Sequence, residues 1–212
     1  MDNIENIYPR IILGLDISTA CIGVCVIKDN GKSDKPEILY IGHKTPKVPN
    51  KIKGIESLFL KKQIFEEQFI PEIKDNFEIT DVVIEEPLLS SNNVNTVATL
   101  LRFNGMISET IYKHLEVVPN FISSYDARLY SFPELVSIRK YNKKGELKKE
   151  NFDACDSLIC ALAYVNINHY GLDEVKIENV KYVTTAESNE IKIEYTTKIW
   201  DKLFNKAIIL NS

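Results

Sequence analysis

The spacing of apolar positions changes along the chain, and each change marks an element. "RIILGLDIS" is a short run rich in β-branched residues that ends in polar ones, which predicts a buried strand over residues 10 to 17. "CIGVCVIK" predicts a second strand and "EILYIGHK" a third; "DNGK" between them carries Asn30-Gly31, a pair suited to a tight hairpin turn. Short connections make these three strands an antiparallel meander. From Ile52 to Asn76 the period becomes helical. Ile55, Leu58, Phe59, Phe65, Phe69 and Ile73 recur every three or four residues, giving one buried stripe with a bend expected at Pro71.

"DVVIEEP" predicts a brief strand stopped by proline. "NVNTVATLLRFNGMISETIYKHLE" predicts a long helix, with Ser91, Asn92 or Asn93 available as its N-cap. "VVPNFISS" reads as a fifth strand, and Asp126 is the expected cap of a short helix through "ARLYSF". A lysine-rich loop comes next, then "NFDACDSLICALAYV" as a buried helix. The order βββαβαβα implies an α/β fold: a mixed five-stranded sheet with helices over its faces, since strand-helix-strand crossovers join parallel neighbours. Residues 171 to 212 differ in character, alternating polar and apolar in "NEIKIEYTT" and ending in "KIWDKLFNKAIIL". They predict a small hairpin and a closing helix or strand, so residues 1 to 170 form the domain and 171 to 212 a C-terminal extension packed on it.

Composition narrows the class. The 212 residues suffice for one domain and an appendage, with 44% hydrophobic and 26% charged residues. No apolar run approaches the roughly 20 residues that span a bilayer, and the acidic, mixed N-terminus is unlike a secretory signal. The expected location is the cytoplasm. Cys21, Cys25, Cys155 and Cys160 include no CxxC pair, so they read as small buried hydrophobes in a reducing compartment rather than as zinc ligands. His43, His114 and His169 are scattered and suggest no ligand set. A net charge of -4 does not advertise a nucleic-acid binder, but two local stretches are basic. Lys44, Lys47, Lys51 and Lys53 precede the helix carrying Lys61 and Lys62, and Arg139, Lys140, Lys143, Lys144, Lys148 and Lys149 crowd the later loop. Either stretch alone reads as a solvated surface.

Four carboxylates carry the chemistry. Asp153 and Asp156 stand at the front of the buried helix; taken alone, they suit an N-cap and a third helical position. Asp16 ends the first strand and Glu85 the fourth, where a buried strand would ordinarily carry Val or Ile. Glu86 should point to the opposite face from Glu85, because strand side chains alternate. If strands one and four are neighbours, Asp16 and Glu85 converge, and residues three apart on the helix can bring Asp153 and Asp156 over the same spot. Four crowded carboxylates repel one another unless a divalent cation joins them. Oxygen ligands select hard ions, Mg2+ or its substitute Mn2+, and two such ions about 4 Å apart form the clamp that hydrolyses phosphodiesters.

These residues resemble the RuvC family of Holliday-junction resolvases within the RNase H-like nuclease superfamily. "IILGLDIS" resembles the family's first strand with its metal-binding aspartate. "VVIEEPLLSSNNVNTVATLLRFNGMI" resembles its strand, glutamate and following helix, including an arginine near a helix glycine, here Arg102 and Gly105. "DACDSLICALAY" resembles its closing signature. The resemblance covers roughly residues 10 to 170. It implies Asp16, Glu85, Asp153 and Asp156 as metal ligands and catalytic residues, two Mg2+ ions per site, and no small-molecule cofactor. It also implies a homodimer, joined through the helix from Asn93 to Glu116, that nicks branched DNA symmetrically and leaves a 5′-phosphate. Lys51, Lys53, Arg102, Lys143 and Lys144 are the candidate phosphate contacts. The chain departs from the family where Ile17 and Ser18 succeed Asp16 in place of Asp-x-Gly, and where Leu88 stands at a position often aromatic. The segment between Arg128 and Asp153 is shorter than the family's, and the tail after Tyr170 has no counterpart in it; such trimming and addition fit a viral or mobile-element branch acting in a host cell.

Three rival readings remain open. The same chemistry could act on flaps, forks or RNA–DNA hybrids. The fold could bind junctions without cleaving them, with the acids as caps. An actin-like kinase is set well below these, because it needs two such domains and a Gly-rich phosphate loop that the chain lacks.

Overall fold

The computed structural model describes residues 9–31, 36–87, 93–131 and 149–174. Strands β1 (Arg10–Ile17), β2 (Ile22–Asp29), β3 (Glu37–Lys44), β4 (Asp81–Glu85) and β5 (Asn120–Ile122) form one sheet in the order β3-β2-β1-β4-β5. The first three pair antiparallel, as the meander expectation has it, and β4 and β5 run parallel to β1. Both parallel joins pass through helices, as parallel neighbours require.

Alternation along β1 assigns the two faces. Leu13, Leu15 and Ile17 pack with Val82 and Ile84 of β4 under helices α1 (Gly54–Ile64), α2 (Ile70–Asn76) and α3 (Val94–Leu115). Ile12 points the other way and joins Val83, Ile122 and the apolar side of helix α5 (Lys149–Glu174). A short helix α4 (Ser124–Ser131) lies beside α5, contributing Ala127 to the same core. Burial on both faces explains why β1 reads as a continuous apolar run rather than an alternating one.

Four details differ from the sequence expectation. The connection from β2 to β3 runs from Asn30 to Pro36, too long for a two-residue hairpin; Gly31 adopts φ 109°, which its missing side chain permits. The long first helix is interrupted by a π-helical turn, Phe65–Phe69, just before Pro71. Proline has no N–H to donate and its ring crowds the carbonyl four residues back, so a wider turn there relieves both problems. The extra residue lets Phe65 and Ile70, five apart, both be buried in line with Leu58 and Ile73, while Phe69 is only half-buried; Ile55 and Phe59, before the turn, are exposed. Asp126 does not cap α4. Ser123 Oγ accepts from the Asp126 backbone N–H at 3.0 Å and donates to the Asp126 carboxylate at 2.6 Å, so Ser123 is the cap and Asp126 its reciprocal partner. Among the candidate caps of α3, Asn93 is the one used, its side chain accepting from the N–H groups of Asn95 and Thr96.

The fourth detail concerns the opening carboxylates of α5. That helix begins at Lys149, so Asp153 and Asp156 lie inside it rather than at its N-cap and third position. The expected hairpin and closing element after residue 174, and most of the lysine-rich loop, lie outside the described residues. Among the described residues, no helix is long and apolar enough to cross a membrane.

Candidate metal centre

Strand register creates the site. Leu15 of β1 is the partner of Ile84 of β4, so Asp16 and Glu85 come next, side by side on adjacent strands, and share the face of Ile12 and Val83. On the other side of β1, Asp16 is the partner of Gly23 of β2. A Cβ on Gly23 would lie 1.9 Å from the backbone oxygen of Asp153, and one on Gly14 would lie 2.3 Å from that of Ser157. Two glycines therefore let one side of α5 rest directly on the sheet backbone. This close docking sets the acidic turn of α5 beside the end of β1.

Three of the four predicted carboxylates meet. Oxygens of Asp16, Glu85 and Asp156 all lie within 4.8 Å of one another, with Glu85 and Asp156 buried. Ligand oxygens held at about 2.1 Å by one octahedral ion stand about 3.0 Å apart when adjacent and about 4.2 Å when opposite. Separations of up to 4.8 Å would close to about 3.0 Å for adjacent ligands, a contraction of at most about 1.8 Å, to place all three oxygens on a single cation. Its all-oxygen donor set fits a hard divalent ion. Asp153 falls outside this group. It sits one turn earlier, with its Oδ2 shielded from solvent, beside the Cys21 thiol.

Two thiols register the same electrostatic field. Burial, followed by the neighbouring Asp153 and Asp16, pushes the Cys21 thiol up to about 12 despite the hydrogen bond from Thr45. Burial also drives Cys160 upward, reinforced by the charges of Glu85, Asp16 and Asp156 and opposed by that of Arg128. Both cysteines are buried and free, as their spacing suggested.

A cation already lies against the triad. The Arg128 guanidinium, 6% exposed, donates from Nη2 to Asp156 Oδ1 at 2.7 Å. Its Nη1 donates to the Ser124 carbonyl at 2.6 Å and also to the Ser124 hydroxyl. Sequence reasoning missed Arg128, because one arginine in a short helix reads as solvent-facing, and its place in "DARL" carries no signal of burial. The turn after β1 is fixed as well: Lys61 of α1 donates to the Thr19 carbonyl at 2.5 Å, and Asn104 of α3 donates to the Ile17 carbonyl at 3.4 Å.

The candidate phosphate contacts fall in different places. Lys51 and Lys53 are exposed on the connection that leaves β3 at Lys44, the end of the sheet at which Asp16 lies. Arg102 is exposed on α3, which covers the opposite face, and lines a shallow groove with Phe59, Lys62, Gly105, Met106 and Glu109. Lys143, Lys144 and Leu88 lie outside the described residues.

No protein-family model matches the sequence, and no curated protein does. Solved structures do match the fold. Thermus thermophilus RuvC in complex with a Holliday junction substrate aligns with a TM-score of 0.56 at 11% identity, over 76% of this chain and 96% of that chain. Thermus thermophilus RuvC alone gives 0.54 at 14% identity, over the same shares. The yeast mitochondrial Holliday junction resolvase Ydc2 gives 0.53 at 15% identity, over 79% of this chain and 84% of its own. The chain has a RuvC-like, RNase H-like fold: a mixed five-stranded α/β sheet flanked by helices, with an acidic triad at one end.

Proposed function

We propose that this chain is a divalent-metal-dependent endonuclease that resolves four-way DNA junctions as a homodimer. The observation that carries the reading is the meeting of Asp16, Glu85 and Asp156, drawn from two strands and a helix, on a RuvC-like frame. In this reading Asp16 and Glu85 hold the cation from the sheet and Asp156 from α5. Asp153, one turn away, completes the acidic pocket once substrate closes it. Two Mg2+ ions, when bound, lower the pKa of the attacking water and neutralise charge on the phosphodiester oxygens. Lys51 and Lys53 would receive phosphates at the site end of the sheet; Lys143 and Lys144 are further proposed phosphate contacts. Arg102 and the exposed side of α3, where Leu101 and Tyr112 face solvent, would serve strand binding and pairing of two copies.

The test compares a synthetic four-way junction with fork, flap, RNA–DNA hybrid and plain duplex in Mg2+, for wild type and Asp16→Asn. The expected result is paired nicking of the junction by wild type, loss of at least about a hundredfold in rate for Asp16→Asn, and products bearing 5′-phosphates. Equal cleavage by the two proteins would end the proposal. Preferential cleavage of another substrate would reassign the activity within the same chemistry. Junction binding without metal-stimulated cleavage would make the chain a binding protein.

A further inference from the structure

We infer that Arg128 is a positioning residue of the metal centre: a built-in counter-charge that holds the carboxylates together in the metal-free chain and keeps cation affinity low until nucleic acid arrives. This rests on the metal-centre reading above and says how that centre is regulated.

Three buried or half-buried carboxylates within 4.8 Å of one another repel strongly in a low-dielectric pocket. Arg128 is the cation placed to offset that repulsion, being buried and 2.7 Å from Asp156 Oδ1. Its second nitrogen is anchored to the Ser124 carbonyl and hydroxyl at the start of α4, so the charge cannot swing away without breaking those two bonds as well. A cation feels this in two ways. It meets a cluster whose formal charge has been reduced from three negatives to two. It also shares Asp156 Oδ1 with the Arg128 guanidinium, whose hydrogen bond draws electron density from that oxygen and weakens it as a ligand. A phosphodiester brings a further negative oxygen to the same place and restores the lost attraction. Metal loading is thereby coupled to substrate binding, and the coupling is reciprocal.

A buried ion pair that only tied α4 to α5 would behave differently. Removing it would loosen Asp156 and weaken cation binding, whereas removing a counter-charge strengthens it. The experiment measures Mn2+ binding to the full chain by thermal shift and by the electron paramagnetic resonance of free Mn2+, for wild type, Arg128→Met and Arg128→Lys. The expected result is a lower metal-free Tm for Arg128→Met, with Mn2+ affinity raised roughly tenfold or more. Arg128→Lys, which keeps the charge, should bind Mn2+ like wild type. If Arg128→Met does not fold without metal, recovery of its circular dichroism on adding Mn2+ supports the inference, and failure to recover overturns it. Unchanged or weaker Mn2+ binding by a folded Arg128→Met overturns it while leaving the metal centre standing. If neither protein binds Mn2+, alone or with junction DNA, the metal-centre reading fails and this inference with it.

Discussion

Gly23 gives the sharpest test of how the site is assembled. In Gly23→Ala the new Cβ would lie 1.9 Å from the Asp153 carbonyl oxygen, 2.2 Å from its carbon and 2.8 Å from the Ala154 nitrogen. All three are backbone atoms, so no side chain can turn aside. A carbon and an oxygen in contact sit about 3.3 Å apart, which demands that the front of α5 rise by about 1.4 Å from β2. Ala154 and Leu158, both buried, are carried with it. Overpacking of this kind costs about 1–3 kcal/mol, or a Tm lower by roughly 3–10 °C for a chain of this size. The same movement carries Asp156 away from Asp16 and Glu85. A shift of that size adds to the contraction the triad must already make to reach metal–ligand distances, which hold to within about 0.2 Å, so Mn2+-induced stabilisation should shrink with the Tm. Circular dichroism melts with and without Mn2+ read both effects. Gly105→Ala is the control: a Cβ there meets nothing within 4 Å on an exposed side of α3, and helix propensity should stabilise that variant by about 0.5–1 kcal/mol. A Gly23→Ala protein with wild-type Tm and an undiminished response to Mn2+ would refute the docking argument.

Groups away from the triad supply two further tests. Burial alone would raise Asp81, but hydrogen bonds from Arg10 and Thr80, the Arg10 charge and the Tyr164 hydroxyl hold its carboxyl below the ordinary value of 3.8. A depressed carboxyl adds stability above its unfolded pKa and loses it as pH falls through the folded one. Asp81→Asn should therefore cost about 1–2 kcal/mol at pH 7, a figure already reduced for the solvent screening of a half-buried pair, and distinctly less near pH 3. Parallel urea melts that keep a constant gap between the proteins at both pH values would contradict this. Removal of the α3 cap in Asn93→Ala, whose side chain accepts from Asn95 and Thr96, should cost about 1 kcal/mol, and an unchanged denaturant midpoint would show the cap to be idle.

Much of the fold is legible in the chain because its signals are local. β1 occupies residues 10 to 17 as the apolar run predicts, and α3 begins behind an asparagine cap as its composition predicts. Elements defined by few residues are harder. β5 is three residues long, and its apolar run is mostly loop. The π-helical turn at Phe65–Phe69 leaves its trace only in Pro71, which announces a disturbance without giving its form. The start of α5 is hidden because Lys149 to Phe152 lack the apolar periodicity of the rest of the helix, although helical geometry continues through them.

The site divides along the same line. Sequence alone determined that Asp16 and Glu85 stand at or near the ends of buried strands, because each follows an apolar run where a charge is costly. It also determined that Asp153 and Asp156 share a helix, since their separation is fixed by the helical turn. Which carboxylates meet was decided in three dimensions. The parallel register of β1 with β4 sets Asp16 beside Glu85, and the docking of α5 on Gly14 and Gly23 chooses Asp156 over Asp153. The arrival of Arg128 at the triad depends on how α4 lies against α5, with Arg128 and Asp156 well separated along the chain. Such contacts depend on shape complementarity between surfaces formed separately, and spacing along a chain carries no record of it.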